Sequence, residues 1–210
     1  MLERAHSAVA VVAAWLALAG VMTDRARADG AALFSENCAA CHGDRGEGSP
    51  ELRAPVVAGL DKAYLDRQVE HLMNGGRPVS AANAAAVGMN DVLRGLGAAD
   101  LQAITAHISG LPLPVLDEPV EAMTFRMRGL FSGCMSCHQA QGEGNAALSA
   151  PRIAHQYGWY IKEQLLSFRS GKRGNDPTDK YGRQMKTMAS DIPSDADVDQ
   201  LVAYIQKLGR

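Results

Sequence analysis

Apolar residues recur along this chain at the three- and four-residue intervals of amphipathic helices, and no run alternates between apolar and polar residues. The pattern predicts an early helix at 31–41 and 120–137, a middle helix at 62–74 and 158–170, and a closing helix at 98–110 and 194–208. Gly75 and Gly171 follow the middle helices and are natural C-terminal stops. Ser194, three residues before Asp197, is a typical N-cap for the last helix. An irregular stretch is expected before each closing helix, and the predicted fold class is all-α.

The two halves of the chain resemble each other at a fixed interval of 96 residues. The tripeptide Gly-Glu-Gly at 46–48 returns at 142–144. Other identical pairs with the same separation are Pro55 and Pro151, Tyr64 and Tyr160, Gln68 and Gln164, and Arg77 and Arg173. A tandem duplication of one unit explains this pattern. Because the prolines within 111–119 cannot continue a helix, we predict a linker at 113–119 between a first domain, 29–112, and a second domain, 120–210.

The duplicated unit carries a motif with specific chemistry, since 38–42 and 134–138 both read Cys-x-x-Cys-His. This is the attachment signature of c-type haem. Two thiols one helical turn apart add to the two vinyl groups of one haem, and the histidine that follows becomes an axial ligand of the iron. The motifs contain all four cysteines of the chain, so none remains for a disulfide. We therefore predict two haem c groups, covalently attached through Cys38, Cys41, Cys134 and Cys137.

The repeat also indicates which residues complete the two iron sites. The axial histidines are His42 and His138, and Met89 and Met185 each lie 47 residues further along the chain. Met188 competes with Met185, but the first half has a valine at the equivalent position, so we interpret Met188 as a core packing residue. A zinc site at the cysteines would leave the repeated histidines and methionines unexplained. Ligation by histidine and methionine raises the reduction potential and leaves no open position for oxygen or peroxide, which favours electron transfer over catalysis.

Two prolines are candidates for orienting the axial histidines. Pro55 and Pro151 each follow the histidine of their motif by 13 residues. An axial histidine normally donates its second ring N–H to a carbonyl, which fixes its orientation. We expect the turns at these prolines to present that carbonyl, although loop rigidity is an equally good reason for a repeated proline.

The N-terminal residues resemble an export signal. Arg4 precedes an apolar run at 7–22, and Ala26 and Ala28 are small residues at the positions that a signal peptidase inspects. This run of 16 residues is short for a full membrane span. We therefore favour a signal at 1–28, cleaved before Asp29, over a retained anchor. Covalent attachment of haem in bacteria takes place outside the cytoplasm, so the predicted location is the periplasm.

The distribution of charge bears on the kind of partner. A net charge of −2 gives no electrostatic case for nucleic acid. The charge is uneven, since residues 29–113 contain 6 basic and 10 acidic side chains and residues 114–210 contain 12 basic and 11 acidic ones. A basic cluster surrounds Met185 in sequence and consists of Lys162, Arg169, Lys172, Arg173, Lys180, Arg183 and Lys186. Such a cluster favours fast, weak encounters with an acidic redox protein, although a solvated helix face has the same composition.

With these motifs, the chain resembles the cytochrome c4 family of di-haem, class I c-type cytochromes. The segment 150–171 is similar to the family pattern Pro-x-Leu-Ala-Gly-Gln, Tyr, Gln-Leu and Phe-Arg-x-Gly, and 185–189 resembles the second ligand loop, in which the earlier methionine binds iron. The segment 55–60 departs from the pattern because it lacks the glutamine. The resemblance implies two tandem class I cytochrome c domains with the iron ligands His42, Met89, His138 and Met185. It also implies a periplasmic carrier, soluble or loosely associated with the membrane, of a kind that often serves a terminal oxidase.

The sequence thus predicts a periplasmic di-haem electron carrier rather than an enzyme. Its donor is expected to be a quinol-oxidising complex or a dehydrogenase, and its acceptor a terminal oxidase. One alternative is a di-haem subunit bound permanently to a dehydrogenase, such as a sulfide- or alcohol-oxidising flavoprotein. A second alternative is a di-haem peroxidase or a thiosulfate-oxidising cytochrome, which needs an open iron site.

Overall fold

The computed structural model describes residues 29–79, 84–117 and 124–208. The predicted export signal, the end of the predicted linker and the first residues of the predicted second domain lie outside these ranges. The helices of the first half are α1 (Gly30–Asn37), α2 (Ala39–His42), α3 (Lys62–Asn74), α4 (Ala84–Gly95) and α5 (Ala98–Ser109). Those of the second half are α6 (Phe125–Phe131), α7 (Met135–His138), a 3₁₀ turn (Ala146–Leu148), α8 (Gly158–Arg169), α9 (Lys180–Ser190) and α10 (Asp195–Ile205). The described residues contain isolated β-bridges but no strand, so the predicted all-α class is confirmed.

The middle and closing helices lie where the hydrophobic pattern predicts them. Helix α3 begins where the Asp61 carboxylate accepts a hydrogen bond from the Tyr64 N–H at 3.0 Å. It ends at Gly75, whose φ of 83° favours glycine. Helix α10 begins at the predicted cap, since the Ser194 hydroxyl oxygen accepts a hydrogen bond from the Asp197 N–H at 3.2 Å. Each closing helix packs against the first helix of its own half, α5 on α1 and α10 on α6.

Two of the helix predictions are wrong. The early helix does not run into the cysteine motif, because α1 ends at Asn37 and the backbone of Cys38 (φ −120°, ψ −36°) separates it from the motif turn α2. In the second half α6 ends at Phe131 and α7 begins at Met135, so three residues separate the two helices. The stretch before each closing helix is not irregular either, since it contains α4 and α9. Helix α9 has few buried residues and is fixed instead by the Asp179 carboxylate, which accepts a hydrogen bond from the Gly182 N–H at 2.8 Å, and by packing on α8.

Each half buries its own apolar core, and a third cluster joins the halves. Phe34 and Phe131 lie at equivalent positions in the two cores and are 2% and 0% exposed. Val56 and Ala58 of the first half pack with Tyr157 of the second half. The two haem motifs therefore belong to units that are in direct contact. Within the three described ranges, no helix combines the length and apolarity needed to cross a bilayer.

Candidate haem sites

The two Cys-x-x-Cys-His motifs adopt the same backbone turn. In the first half, the N–H groups of Cys41 and His42 donate to the Cys38 carbonyl at 3.2 and 3.0 Å. The corresponding hydrogen bonds to the Cys134 carbonyl in the second half measure 3.2 and 2.9 Å. This turn places both thiols and the imidazole of a motif on one short segment, as attachment to a single haem requires.

All four thiols are free, with the first cysteine of each motif half-buried and the second exposed. Burial, and then the neighbouring Cys41, raise the pKa of the Cys38 thiol to about 11. Burial and the neighbouring Cys137 likewise raise the pKa of the Cys134 thiol. These two thiols are therefore protonated at neutral pH. The described residues also contain no group of three or more His, Cys, Asp or Glu side chains that could hold a metal ion.

Each motif histidine is held by a proline carbonyl. His42 Nδ1 lies 2.9 Å from the Pro55 oxygen, and His138 Nδ1 lies 2.8 Å from the Pro151 oxygen. Because a carbonyl only accepts, Nδ1 carries the proton in each ring and Nε2 keeps a free lone pair. Burial lowers the pKa of both imidazoles by more than the hydrogen bond raises it, which opposes protonation of that lone pair. Each ring thus presents a neutral nitrogen suited to bind haem iron.

The repeated Gly-Glu-Gly segment explains how each carbonyl reaches its histidine. The Gly48 N–H donates to the His42 carbonyl at 2.7 Å, and the Gly144 N–H donates to the His138 carbonyl at 3.0 Å. Gly48 has a φ of 78°, and a Cβ there would lie 2.7 Å from the carbonyl carbon of Pro55. Glycine is therefore needed for the backbone to pass this close to the proline turn.

The predicted methionine ligands lie on helices. Met89 is half-buried on α4, and Met185 is half-buried on α9, where it packs against the second core. Met188, on the same helix, is 43% exposed, and its equivalent Val92 is 40% exposed. The interpretation of Met188 as a core residue is therefore wrong. Met185 is the methionine of α9 that packs against the second core.

The repeated tyrosine, glutamine and arginine pairs form a network that sequence reasoning missed. Each arginine crosses between the halves: Arg77 Nη2 donates to the Tyr160 hydroxyl oxygen at 2.8 Å and to the Gln164 side-chain oxygen at 3.2 Å. Arg173 forms the equivalent hydrogen bonds with Tyr64 and Gln68 of the first half. The 96-residue repeat shows that these residues are equivalent, but no spacing within one half indicates that they cross to the other.

The network carries positive charge without a matching carboxylate. Arg173 is 8% exposed, and burial, followed by the nearby charge of Arg77, lowers the pKa of its guanidinium. Among the described residues, no Asp or Glu forms an ion pair with either arginine. The buried indole N–H of Trp159 has no hydrogen-bond partner in that part of the chain either. Buried cations and donors of this kind fit a group that brings its own carboxylates, as haem does with its propionates.

Comparison with known proteins gives a consistent result. The Cytochrome c family model matches residues 27–112 and 128–209, so that each match includes one Cys-x-x-Cys-His motif. A cytochrome c4 from Pseudomonas aeruginosa is 32% identical over 180 residues, which cover 81% of this chain and 83% of the relative. A thiosulfate dehydrogenase electron acceptor from Stutzerimonas stutzeri is 27% identical over 202 residues, which cover 87% of this chain and 88% of the relative. The crystal structure of reduced recombinant cytochrome c4 from Pseudomonas stutzeri is similar with a TM-score of 0.67 and 28% identity, over 85% of this chain and 96% of that chain.

Proposed function

The chain belongs to the cytochrome c4 family, and from that premise we propose that it is a periplasmic electron carrier with haem domains at 29–112 and 120–210. It binds two haem c groups, and each haem supplies one-electron chemistry at its iron. Residues 1–28 act as the export signal. In this proposal, thioether bonds attach one haem to Cys38 and Cys41 in the first half and the other haem to Cys134 and Cys137 in the second half.

The proposed iron ligands are His42 and Met89 in the first half and His138 and Met185 in the second. The observation that carries this assignment is the hydrogen bond from each Nδ1 to a proline carbonyl, because it leaves Nε2 as the available nitrogen of each ring. The carbonyl also orients the ring and increases its electron donation. A methionine thioether at the remaining position raises the potential and keeps oxygen and peroxide away from the iron. Such a site is suited to passing electrons and not to catalysis.

The second half also provides a docking surface in this proposal. Part of the basic cluster is unavailable, because Arg173 is buried, Lys162 pairs with Asp199 at 2.5 Å, and Arg169 pairs with Asp195. The other members form what we term the cationic face: Lys172, Lys180, Arg183 and Lys186. None of these four is in an ion pair within the described part of the chain. Three of them lie on α9, the helix of Met185, so an acidic partner bound there approaches the second iron site.

The acidic partner that binds the cationic face is, in this proposal, a redox protein. A quinol-oxidising complex or a dehydrogenase serves as the donor, and a terminal oxidase serves as the acceptor. The similarity to a thiosulfate dehydrogenase electron acceptor supports a second candidate, in which the chain receives electrons from a thiosulfate-oxidising enzyme. A peroxidase or a thiosulfate-oxidising cytochrome fits less well, because the proposed methionines close both irons.

Stopped-flow electron exchange tests the docking surface and separates the two candidates. Reversing two charges in Lys180→Glu/Arg183→Glu is expected to slow exchange with the true partner about tenfold at low salt, and the loss should shrink as salt screens the charges. The partners to compare are membranes that contain a terminal oxidase and purified thiosulfate dehydrogenase. Arg128→Glu, a charge reversal at an exposed position on α6, is the control and should leave the rate unchanged. If the double variant exchanged electrons with both partners at the wild-type rate, the cationic face would not be the docking surface.

A further inference from the structure

We propose that Gln156, which belongs to the second half, is a positioning residue for His42 of the first half. Its amide binds the Val56 backbone at both ends: Oε1 accepts a hydrogen bond from the Val56 N–H at 3.0 Å, and Nε2 donates to the Val56 carbonyl at 2.9 Å. Oε1 also accepts a hydrogen bond from the Tyr157 N–H at 3.0 Å. Both residues are buried, with Gln156 9% and Val56 1% exposed. The inference rests on the proposed role of His42 as an iron ligand.

A single peptide group connects Gln156 to the histidine. The Val56 N–H and the Pro55 carbonyl are the two ends of the same peptide bond, and that carbonyl accepts the Nδ1 proton of His42 at 2.9 Å. A peptide whose N–H donates a hydrogen bond has a carbonyl that accepts more strongly, because hydrogen bonds in a chain polarise one another. Gln156 therefore strengthens the hydrogen bond to His42 and fixes the position of the Pro55 carbonyl.

The second half lacks this arrangement. The residue equivalent to Gln156 is Leu60, which packs in the first core and is 9% exposed. His138 is held by its own proline carbonyl, but within the described residues no side chain accepts a hydrogen bond from the Arg152 N–H of that peptide. Arg152 crosses to the first half through its guanidinium instead, which donates to the Ala58 carbonyl at 2.6 Å. The influence of one half on the histidine of the other thus runs in one direction.

This asymmetry has a consequence for the reduction potentials. A stronger hydrogen bond at Nδ1 makes the imidazole a better electron donor at Nε2, which stabilises oxidised iron. Contact between the halves therefore lowers the potential at His42 and not at His138. Loss of Gln156 should raise the reduction potential of the haem at His42, which we call the first potential. In protein that carries one electron, the electron should then reside more often in the first half. The equilibrium constant for electron exchange between the sites should change by a factor of roughly two to ten, the usual worth of one weakened hydrogen bond.

The test uses Gln156→Met in the full-length holoprotein. Methionine has a similar length and shape but forms neither hydrogen bond with the Val56 backbone. Spectroelectrochemical titration gives both potentials, which are assigned with Met89→His and Met185→His because each lowers the potential of its own haem. We expect only the first potential to rise, together with an upfield shift of the His42 Nδ1–H resonance in the reduced protein.

The control is Glu163→Gln, which removes the ion pair between Glu163 and Arg53 of the other half (2.8 Å) without touching the Val56 peptide. It should leave both potentials unchanged. An equal shift at both sites in Gln156→Met, or the same first-site shift in Glu163→Gln, would show that Gln156 only holds the halves together and would overturn the proposal. Unchanged potentials in Gln156→Met would overturn it as well.

If Gln156→Met yields no holoprotein, Gln156→Asn replaces it. The shorter amide stays polar but no longer reaches both Val56 groups, so the same rise of the first potential is expected and its absence contradicts the proposal. Failure of the proposed function has a different signature. In that case the wild-type protein itself lacks two haems with methionine ligation, whatever Gln156→Met does.

Discussion

Individual atoms decide the chemistry of each site. The proline carbonyl holds the proton on Nδ1, at 2.9 Å for His42 and 2.8 Å for His138, and so fixes which ring nitrogen is free to bind iron. The methionine ligand of the second haem has to be chosen between two residues, because α9 carries both Met185 and Met188. Met185 packs against the second core, whereas Met188 is 43% exposed. Contact with the second core is therefore the observation that distinguishes Met185 from Met188.

Replacing Met185 by alanine is expected to open the second iron and leave the first closed. The near-infrared sulfur-to-iron band of the oxidised protein should fall to about half, because one of two thioether ligands is lost. Cyanide should then bind to one haem per chain. Met188→Ala, on the same helix, is the matched control and should keep the full band. Loss of the band in Met188→Ala and not in Met185→Ala would reverse the assignment.

At the scale of elements, α9 is held by a cap more than by a hydrophobic stripe. Its buried residues are Gly182 and Ala189, which is too little apolar surface for the sequence pattern to reveal the helix. The carboxylate of its N-cap, Asp179, also lies 3.7 Å from Nε2 of His71 in the first half. A side chain of the first half thus lies close to the start of the helix that carries Met185.

The cap of α10 should make stability depend on pH. A hydrogen bond from the Ser194 hydroxyl (2.7 Å), followed by the Arg126 guanidinium, lowers the pKa of the Asp197 carboxyl. The contact therefore stabilises the fold above the ordinary pKa of 3.8, and this contribution is lost as the pH falls through the lower folded value. Asp197→Asn should lower the unfolding temperature at pH 7, and its difference from wild type should shrink below about pH 4.

Thermal unfolding of the holoprotein between acidic and neutral pH measures this effect. Asp195→Asn is the control, because Asp195 lies at the same helix end but its side chain is 77% exposed. Its effect at pH 7 should be smaller, since exposed ion pairs contribute about 0–1 kcal/mol. A difference for Asp197→Asn that stays constant from neutral to acidic pH would contradict the role of its ionised carboxylate.

At the scale of the whole molecule, the duplication makes the contact between the halves reciprocal. Arg77 reaches Tyr160 and Gln164, and Arg173 reaches the equivalent residues of the first half. Apolar contacts of Val56 with the second half lie in the same interface. We expect these contacts to make the halves unfold together, because residues in one buried network open as a unit.

Removing both arginines should uncouple the halves. In Arg77→Met/Arg173→Met the hydrogen bonds that these two arginines form across the interface are lost, so the single calorimetric transition expected for wild-type holoprotein should split into two. Arg53→Gln removes an exposed ion pair between the halves and should keep one transition. One sharp transition in the double variant, at the wild-type temperature, would show that the arginine network does not couple the halves.

Short-range spacing accounts for what the sequence could predict. The proline 13 residues after the motif is close enough in the chain for a glycine-containing turn to bring its carbonyl to His42, and the cap at Ser194 depends on residues three apart. The contacts of Gln156, Arg77 and Arg173 depend on how the two halves meet, and neither half alone carries a signal for them. The repeat identifies equivalent residues, but the way in which the two halves pack together determines which of them form contacts with the other half.

We propose that this chain holds two closed histidine–methionine haem sites. Near-infrared absorption and magnetic circular dichroism of the oxidised holoprotein, combined with haem content per chain, test it most directly. We expect two haems per chain, both with the sulfur-to-iron band and both unaffected by added peroxide. A single haem per chain, a haem without that band, or a high-spin five-coordinate iron would contradict it.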